Sequence, residues 1–408
     1  MEGNVGLEKE SLRVNEEGHF SHRRHPFAND ENIVRDFCEN QVEINTGVSS
    51  GIDAALQELE RHQKRVNKTL AALPDREYLW PFSNPPFIEG EHDIPVAQFQ
   101  APFNNKTEYR NYLAKVYGKY KMTFSGIHVN YSLSEDLLRA DFACAEETDF
   151  MKYRNQLYLS LTRNLINNGW IVTVLLAASP VLDGSFLRQG MQGQTDFSGM
   201  SSVRCSEMGY WNHFVPVLNY ETLPDYVESI RKYIDDGWIS AQSELYYPIR
   251  IKSQGVNDLN VLLEKGVDHI EVRNVDLNPY AYAGIQRQDL RFIQLLLIYD
   301  ACIEPIDMNA GQQIHAMRNF KNAAHFDIDT ASLMQVDGTV CSVRKASLAL
   351  LNDMKEFYGK LDIDVDDVLD QQIKKLTDPS CRYAQQVMDQ FGHGFVEKGM
   401  EFVQARYE

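Results

Sequence analysis

Several carboxylates in this chain fall at spacings that could hold a metal ion. Counting by two from Val5 to Val14 places Glu8 and Glu10 on one face of a predicted strand, next to Leu12 and Val14. Asp36, Glu39 and Glu43 lie within eight residues of one another. Farther along, His128 and Asn130 share a face of one predicted strand, and Glu271 and Arg273 share a face of another. Like charges crowded on a half-buried strand face are unfavourable unless a cation or an arginine neutralises them. Hard carboxylate oxygens with one imidazole suit Mg²⁺ or Mn²⁺ rather than zinc. A sheet gathering such groups from several strands could therefore bed a magnesium nucleotide. The same spacing also describes solvated strand faces, because alternation does not say which face is wet. For His128 the ordinary alternative is a satisfied core histidine, and for Arg273 a buried ion pair with Glu271.

Other chemistries find little support. The chain has no GxxxxGK[ST], no GxGxxG after a strand, no HExxH and no GxSxG. Asp362, Asp364 and Asp366 resemble the start of a calcium loop, but the glycine and closing glutamate are missing, so they read as a solvated helix start. The six cysteines form no CxxC pair and are scattered through 408 residues. Free thiols in a reducing cytoplasm are the simpler reading. A formal net charge of -18 argues against nucleic-acid and anionic-membrane partners. The apolar run Trp170 to Ala178 is about half a membrane span, and the polar start MEGNVGLEKE is no signal peptide.

The elements that must position these groups can be read coarsely. Strands are predicted over Val5–Val14, Gln41–Thr46, Phe124–Leu133, Tyr247–Lys252 and His269–Leu277. Helices are predicted over Ile52–Leu73, Thr107–Lys119 and Asp225–Asp235, and over Met151–Ala178 with a break near Asn167-Asn168-Gly169. Trp80–Phe103 reads as an ordered loop and Asp183–Gly199 as a Gly- and Gln-rich connection. From Asp289 the chain turns mainly helical, with helices over Leu290–Cys302, Ala346–Leu361, Asp367–Leu376 and Cys381–Phe391. The expected class is α+β: an antiparallel sheet in the first two-thirds, then helices packed on it.

The segment Gly6-Leu-Glu-Lys-Glu-Ser-Leu-Arg-Val14 resembles the opening motif of bacterial glutamate–cysteine ligases (γ-glutamylcysteine synthetases). The likeness continues in order through Asp36-Phe-Cys-Glu-Asn-Gln-Val-Glu43, Trp80-Pro-Phe-Ser-Asn-Pro-Pro86 and Tyr109-Arg-Asn-Tyr-Leu113. It runs on through Ser125-Gly-Ile-His-Val-Asn130, Ala178-Ser-Pro180, Ser202-Val-Arg-Cys-Ser206 and Glu244-Leu-Tyr-Tyr-Pro-Ile-Arg250 to Ile270-Glu-Val-Arg-Asn-Val-Asp-Leu-Asn-Pro279. The chain is especially similar to the ligase half of fused glutathione synthetases. The resemblance implies a glutamine-synthetase-like fold with a curved antiparallel sheet. It implies one catalytic domain over residues 1–408, with a sheet-bearing core to about 300, a helical part after it, and no ATP-grasp domain.

It also implies the reaction of L-glutamate, L-cysteine and ATP to γ-glutamylcysteine, ADP and phosphate, the first step of glutathione biosynthesis. Carried over by motif, Glu8, Glu10, Asp36, Glu43, His128 and Glu271 would be Mg²⁺ (or Mn²⁺) ligands, with Glu39 a weaker candidate. Asn130 would contact the nucleotide phosphates or the metal shell. Arg204 and Arg273 would stabilise the transferring phosphoryl group or hold the glutamate carboxylate. Arg110, aided by Tyr246, would grip the cysteine carboxylate, and Phe37, Tyr109, Leu113 and Tyr210 would line the thiol pocket. Two departures stand out: the lead-in before Gly6 is short, and Met122 stands where some relatives have glutamine. A γ-glutamyl ligase for another amine and a catalytically inactive ligand-binding homologue are the alternative expectations.

Overall fold

The computed structural model describes residues 3–27, 29–187, 193–255 and 257–407. Its longest strand, β1 (Gly3–Val14), runs through the middle of an antiparallel sheet. The others on its main path are β2 (Ile33–Arg35), β3 (Gln41–Asn45), β4 (Gly126–Leu133), β5 (Ile249–Lys252) and β6 (His269–Asp276), in the spatial order β2-β3-β1-β4-β6-β5. Alternation divides this sheet sharply. Val5 and Leu7 of β1, Ile127, Val129 and Tyr131 of β4, Ile249 and Ile251 of β5, and Ile270 and Val272 of β6 are buried in one hydrophobic core. The residues between them carry the charges.

Helices cover the apolar face. In α1 (Ile52–Ala71), Ala55, Leu59, Val66 and Leu70 form the buried stripe, while Asp53 in the first turn and Lys68 in the last suit the helix dipole. The predicted break at Gly169 is real: α3 (Phe150–Asn168) ends there and α4 (Trp170–Leu176) begins. A Cβ on Gly169 would lie 2.5 Å from the Leu165 carbonyl oxygen, so the backbone turns where no side chain fits. The helix α5 (Arg287–Cys302) packs against α3 and the same core. The helix α2 (Asn104–Tyr117) belongs to a second apolar cluster.

That second cluster ties the ordered loop to the C-terminal helices. Phe82 packs edge-on against Phe391 and Phe395 at ring separations of 4.9 and 5.0 Å, and Trp80 against Phe395 at 5.4 Å. A buried polar knot does the same for α5. Asp289 accepts hydrogen bonds from Lys375 Nζ at 2.8 Å and from the Tyr383 hydroxyl at 2.8 Å. Lys375 also donates to the Leu175 carbonyl at 3.1 Å.

The sequence reading is correct in class and in most elements. It misses β2, the short strands Ser332–Met334 and Val340–Ser342, and the helices Glu135–Phe142, Leu259–Lys265, Ala310–Asn322 and Phe395–Tyr407. A three-residue edge strand is too short to show a period. The helix Ala310–Asn322 is polar enough to hide its stripe, although Asn309 and Gln312 form a capping box that marks its start. The connection Asp183–Gly199 includes a strand pair, Val181–Asp183 with Thr195–Phe197, and its residues 188–192 lie outside the described residues. Asp364 accepts from the Asp366 backbone N–H at the start of the helix Asp366–Thr377, as the solvated-helix-start reading expects.

Removing the centre of the buried knot leaves the Lys375 ammonium unpaired away from water. Asp289→Ala is therefore expected to lower unfolding free energy by about 3–5 kcal/mol, measured by urea denaturation followed by circular dichroism. A loss below about 1 kcal/mol would show that the knot does not hold the C-terminal helices to the core.

Candidate active site

Strand register decides which charges meet. Glu8 pairs with His128, Glu10 with Glu43, and Glu271 with Asn130. All six project from the sheet face opposite the main core. His128 stands at the centre: its Nδ1 is 3.1 Å from Glu8 and 3.6 Å from Glu271, and its Nε2 is 3.6 Å from Glu10. Potential ligand atoms of Glu8, His128 and Glu271 lie within 4.8 Å of one another. Asn130 Nδ2 donates to Glu8 Oε1 at 2.9 Å, and the Gly126 backbone N–H donates to Glu10 at 3.0 Å. These bonds aim the two carboxylates at a common space.

That space is a cleft of about 320 Å³. All six sequence-predicted metal ligands line it: Glu8, Glu10, Asp36, Glu43, His128 and Glu271. So do Arg204 and Arg273, and so do Phe37, Tyr109, Arg110, Leu113, Tyr210 and Tyr246. Asn130 is outside this lining and reaches the cleft through Glu8. Glu39 is a correction. Its carboxylate is tied to Arg35 at 3.0 Å and to the backbone N–H groups of His25 and Gln98 at 3.0 and 2.9 Å, so it braces the loops and does not face the cleft.

The electrostatics separate the carboxylates into two kinds. Burial pushes the Glu10 carboxyl up, against the pull of His128, and Asp36 adds to the rise. Burial pushes Glu43 well up too, reinforced by Asp36, Glu8 and Glu10. For Glu8, burial is outweighed by the hydrogen bond and charge of His128 and by Asn130, which leaves it below the ordinary range. Burial works the same way on Glu271 and is overcome by Arg273, Lys252 and Arg250, which hold it well below. Glu271 is 1% exposed and its Oε2 has no hydrogen-bond partner. That oxygen faces Lys252 and Arg250, while Oε1 lies toward His128. Two glutamates whose ionisation burial opposes, gathered with Glu8 and Glu271 around one imidazole, fit a divalent cation bound by hard oxygens and one nitrogen.

A β-bulge sets the arginines. Val272 pairs with Val129 and Val275 with Ile127, so Arg273 and Asn274 together oppose His128. The bulge turns the Arg273 and Val275 carbonyls toward Arg204, which donates to them at 2.9 and 3.2 Å. The guanidinium lies over Gly126, where a Cβ would come within 2.2 Å of it, so any side chain there would displace Arg204 from its carbonyl partners. Asp276, held by Ser179 at 2.6 Å and Ser202 at 3.0 Å, sits 4.0 Å away. Arg273 Nη1 donates to Glu271 at 2.9 Å, so the ion pair weighed for it exists inside the cleft.

The far end of the cleft is aromatic. Tyr210 and Tyr246 have ring centroids 3.8 Å apart, and the Tyr109 hydroxyl accepts from Ser243 at 3.0 Å. Arg110 donates to the carbonyls of Asp36, Lys106 and Arg35 and stacks over Phe99 at 4.8 Å. The sequence reading overlooked Arg250 and Lys252, which line the cleft beside Glu271. Their two-residue spacing on a predicted strand was the available signal.

Comparisons with known proteins bear on the family and the fold. A family model described as glutamate-cysteine ligase matches residues 1–238 and 233–323. The glutathione biosynthesis bifunctional protein GshAB of Listeria monocytogenes serotype 4b (strain F2365) is 33% identical over 404 residues, covering 95% of this chain and 52% of that protein. GshAB of Streptococcus thermophilus (strain CNRZ 1066) is 35% identical over 303 residues, covering 73% of this chain and 38% of that protein. The chain thus spans about half the length, or less, of these curated relatives. A bifunctional glutathione synthetase from Pasteurella multocida superposes with a TM-score of 0.84 at 26% identity, covering 100% of this chain and 52% of that one. A glutamate–cysteine ligase from Francisella tularensis, solved in complex with AMP, shares the fold with a TM-score of 0.89 at 21% identity, covering 100% of this chain and 88% of that one.

Metal affinity should follow the protons on the carboxylates. Glu10 and Glu43 are raised in the folded state, so they favour the metal-free fold at low pH and weaken it as pH rises through their range above the ordinary value of 4.5. Glu8 and Glu271 are lowered, and their contribution is lost only as pH falls below that value. Mn²⁺ binding is therefore expected to tighten with rising pH and to release protons. Calorimetry in buffers of different ionisation enthalpy measures both effects. Affinity that is flat with pH would contradict this assignment.

Proposed function

The chain belongs to the glutamate–cysteine ligase family, and from that premise we propose that it joins the γ-carboxylate of L-glutamate to the amine of L-cysteine with ATP, giving γ-glutamylcysteine, ADP and phosphate. One observation carries the reading. Strand register brings five of the six predicted metal ligands together, and Asp36, two arginines and an aromatic pocket line the same cleft.

A glutamate γ-carboxylate oxygen would attack the terminal phosphorus of ATP, forming an acyl phosphate as ADP leaves. The cysteine amine would then attack the carbonyl carbon, expel phosphate and give up a proton. Glu8, Glu10, Asp36, Glu43, His128 and Glu271 are the residues that would hold Mg²⁺ or Mn²⁺. A divalent ion bound there supplies electrostatic relief between two anions that otherwise repel. Arg204 and Arg273 stabilise charge on the transferring group or hold the glutamate carboxylate, each with a planar fork. Asn130 acts through Glu8, whose oxygen it fixes at 2.9 Å. Arg110 and Tyr246 take the cysteine carboxylate, and Phe37, Tyr109, Leu113 and Tyr210 enclose its thiol.

Glutathione biosynthesis in the cytoplasm is the setting this reading implies. Dispersed free cysteines and the absence, among the described residues, of a helix long and apolar enough to cross a membrane are compatible with it. Met122 also lines the cleft, which supports a second reading in which another amine replaces cysteine.

Phosphate release from ATP, Mg²⁺ and glutamate, measured with and without cysteine, tests the reaction, and a panel of other amines separates the two readings. Release that no amine stimulates would overturn both. Glu8→Gln and Glu271→Gln should each reduce turnover by at least about a hundredfold with an unchanged circular dichroism spectrum. Rates like those of the unmodified protein would remove them from the ligand set. Arg110→Ala should raise the KM for cysteine by about tenfold or more while that for ATP changes by less than about twofold. Equal effects would contradict its role.

A further inference from the structure

Three cations converge on one buried carboxylate. Glu271 faces Arg273 at 2.9 Å, Lys252 at 3.5 Å and Arg250 at 4.0 Å. Two of the three are committed elsewhere or bonded directly. Arg250 donates to the Leu245 and Ser243 carbonyls at 2.9 and 3.0 Å, and Arg273 makes the short bond to Glu271. Lys252 differs. Its ammonium makes no hydrogen bond among the described residues, and 3.5 Å from Glu271 is a charge contact beyond ordinary hydrogen-bond length. Register accounts for its place. Lys252 ends β5 opposite His269, and alternation sets it beside Arg250 on the cleft face, with its side chain 18% exposed.

Glu8 also acts on Lys252, and Glu8, Glu10 and Asp36 on Arg273, so the cations of this wall are already partly compensated. Lys252 is the member with three unspent donors. Both cationic heads bind phosphate, the guanidinium as a bidentate fork and the ammonium as a compact point charge. The forks of Arg204 and Arg110 already donate to backbone carbonyls, as Arg250 does, whereas the Lys252 ammonium donates to none among the described residues. We propose that Lys252 binds the terminal phosphates of the nucleotide and so is a substrate-contacting residue of the ligase. This rests on the reading that ATP is the co-substrate.

The test uses the full chain with Mg²⁺, without turnover. Calorimetry would measure binding of AMP-PNP, inorganic tripolyphosphate and AMP to the unmodified protein and to Lys252→Met. Affinity for AMP-PNP and tripolyphosphate should fall by about tenfold to a hundredfold, the loss expected for one charge-assisted hydrogen-bonding group. Affinity for AMP should change by less than about twofold, and Lys252→Arg should recover part of the loss. In steady state the KM for ATP should rise and that for glutamate should not. Unchanged AMP-PNP affinity in Lys252→Met would overturn the assignment, as would an equal loss for AMP, which would mark general damage to the cleft. If Lys252→Met does not fold, Lys252→Gln carries the same comparison. An unmodified protein that binds neither AMP-PNP nor tripolyphosphate would overturn the ATP reading itself, a result distinct from a variant that binds as well as its parent.

Discussion

Mutual repulsion among carboxylates on one sheet face is the constraint around which this molecule is arranged. Glu10 is paired directly opposite Glu43, and Glu8 sits two residues along the same strand. A backbone ladder does not let these groups move apart, because a one-residue slip would carry Val5, Leu7, Ile127 and Val129 out of the core. Apolar burial behind the sheet thus holds the charges together in front of it. The charges must be compensated locally, and His128, touching three of them, is the protein's own first compensation. The raised carboxyls of Glu10 and Glu43 show that it is incomplete. An added cation would complete it, and the packing that stabilises the fold would then also hold the metal site together.

The bulge in β6 answers a second difficulty. An unbroken strand would alternate strictly from Glu271 to Asp276, so Val272 and Val275 would face opposite sides of the sheet. With one extra residue, Val272 and Val275 both enter the core and the backbone between them is free to hold Arg204. Gly126 gives the space below, and Asp276 with Ser179 and Ser202 gives the charge behind. Three distant segments must agree for this one side chain to be fixed. That explains why its surroundings read as separate short motifs in the sequence.

Those motifs were legible for a physical reason, and so were the omissions. The period-two placement of Glu8, Glu10, His128 and Glu271 is a property of single strands, and alternation exposes it directly. Which face is buried depends on partners far away in the chain, so spacing alone left the solvated reading open for the same residues. Glu39 shared the spacing of Asp36 and Glu43 yet turns into the loops, because it falls between β2 and β3, where alternation no longer applies. The bulge was invisible, since Arg273 and Asn274 look like any strand pair until a register is known. Lys252 was missed because a lone lysine near a strand end usually faces water, and its company on the cleft wall is set by β5 pairing with β6.

Net charge is a poor guide to such a site. The chain's formal charge of -18 is spread over its surface and favours solubility more than it directs binding. In the cleft the balance is different: Glu8, Glu10, Asp36, Glu43 and Glu271 are opposed by Arg110, Lys121, Arg204, Arg250, Lys252 and Arg273. The two signs are not mixed evenly, since the carboxylates crowd around His128 while Arg250 and Lys252 flank Glu271 from the sheet edge. A simple polyanion would relieve the basic wall and worsen the acidic one, and a free cation would do the reverse. An amino acid brings one ammonium, too little for the repulsion between Glu10, Glu43 and Asp36. A divalent metal together with a polyphosphate meets both demands at once, and each half makes the other's binding more favourable by cancelling the charge it would otherwise face. A cleft so charged would favour the pair over either part.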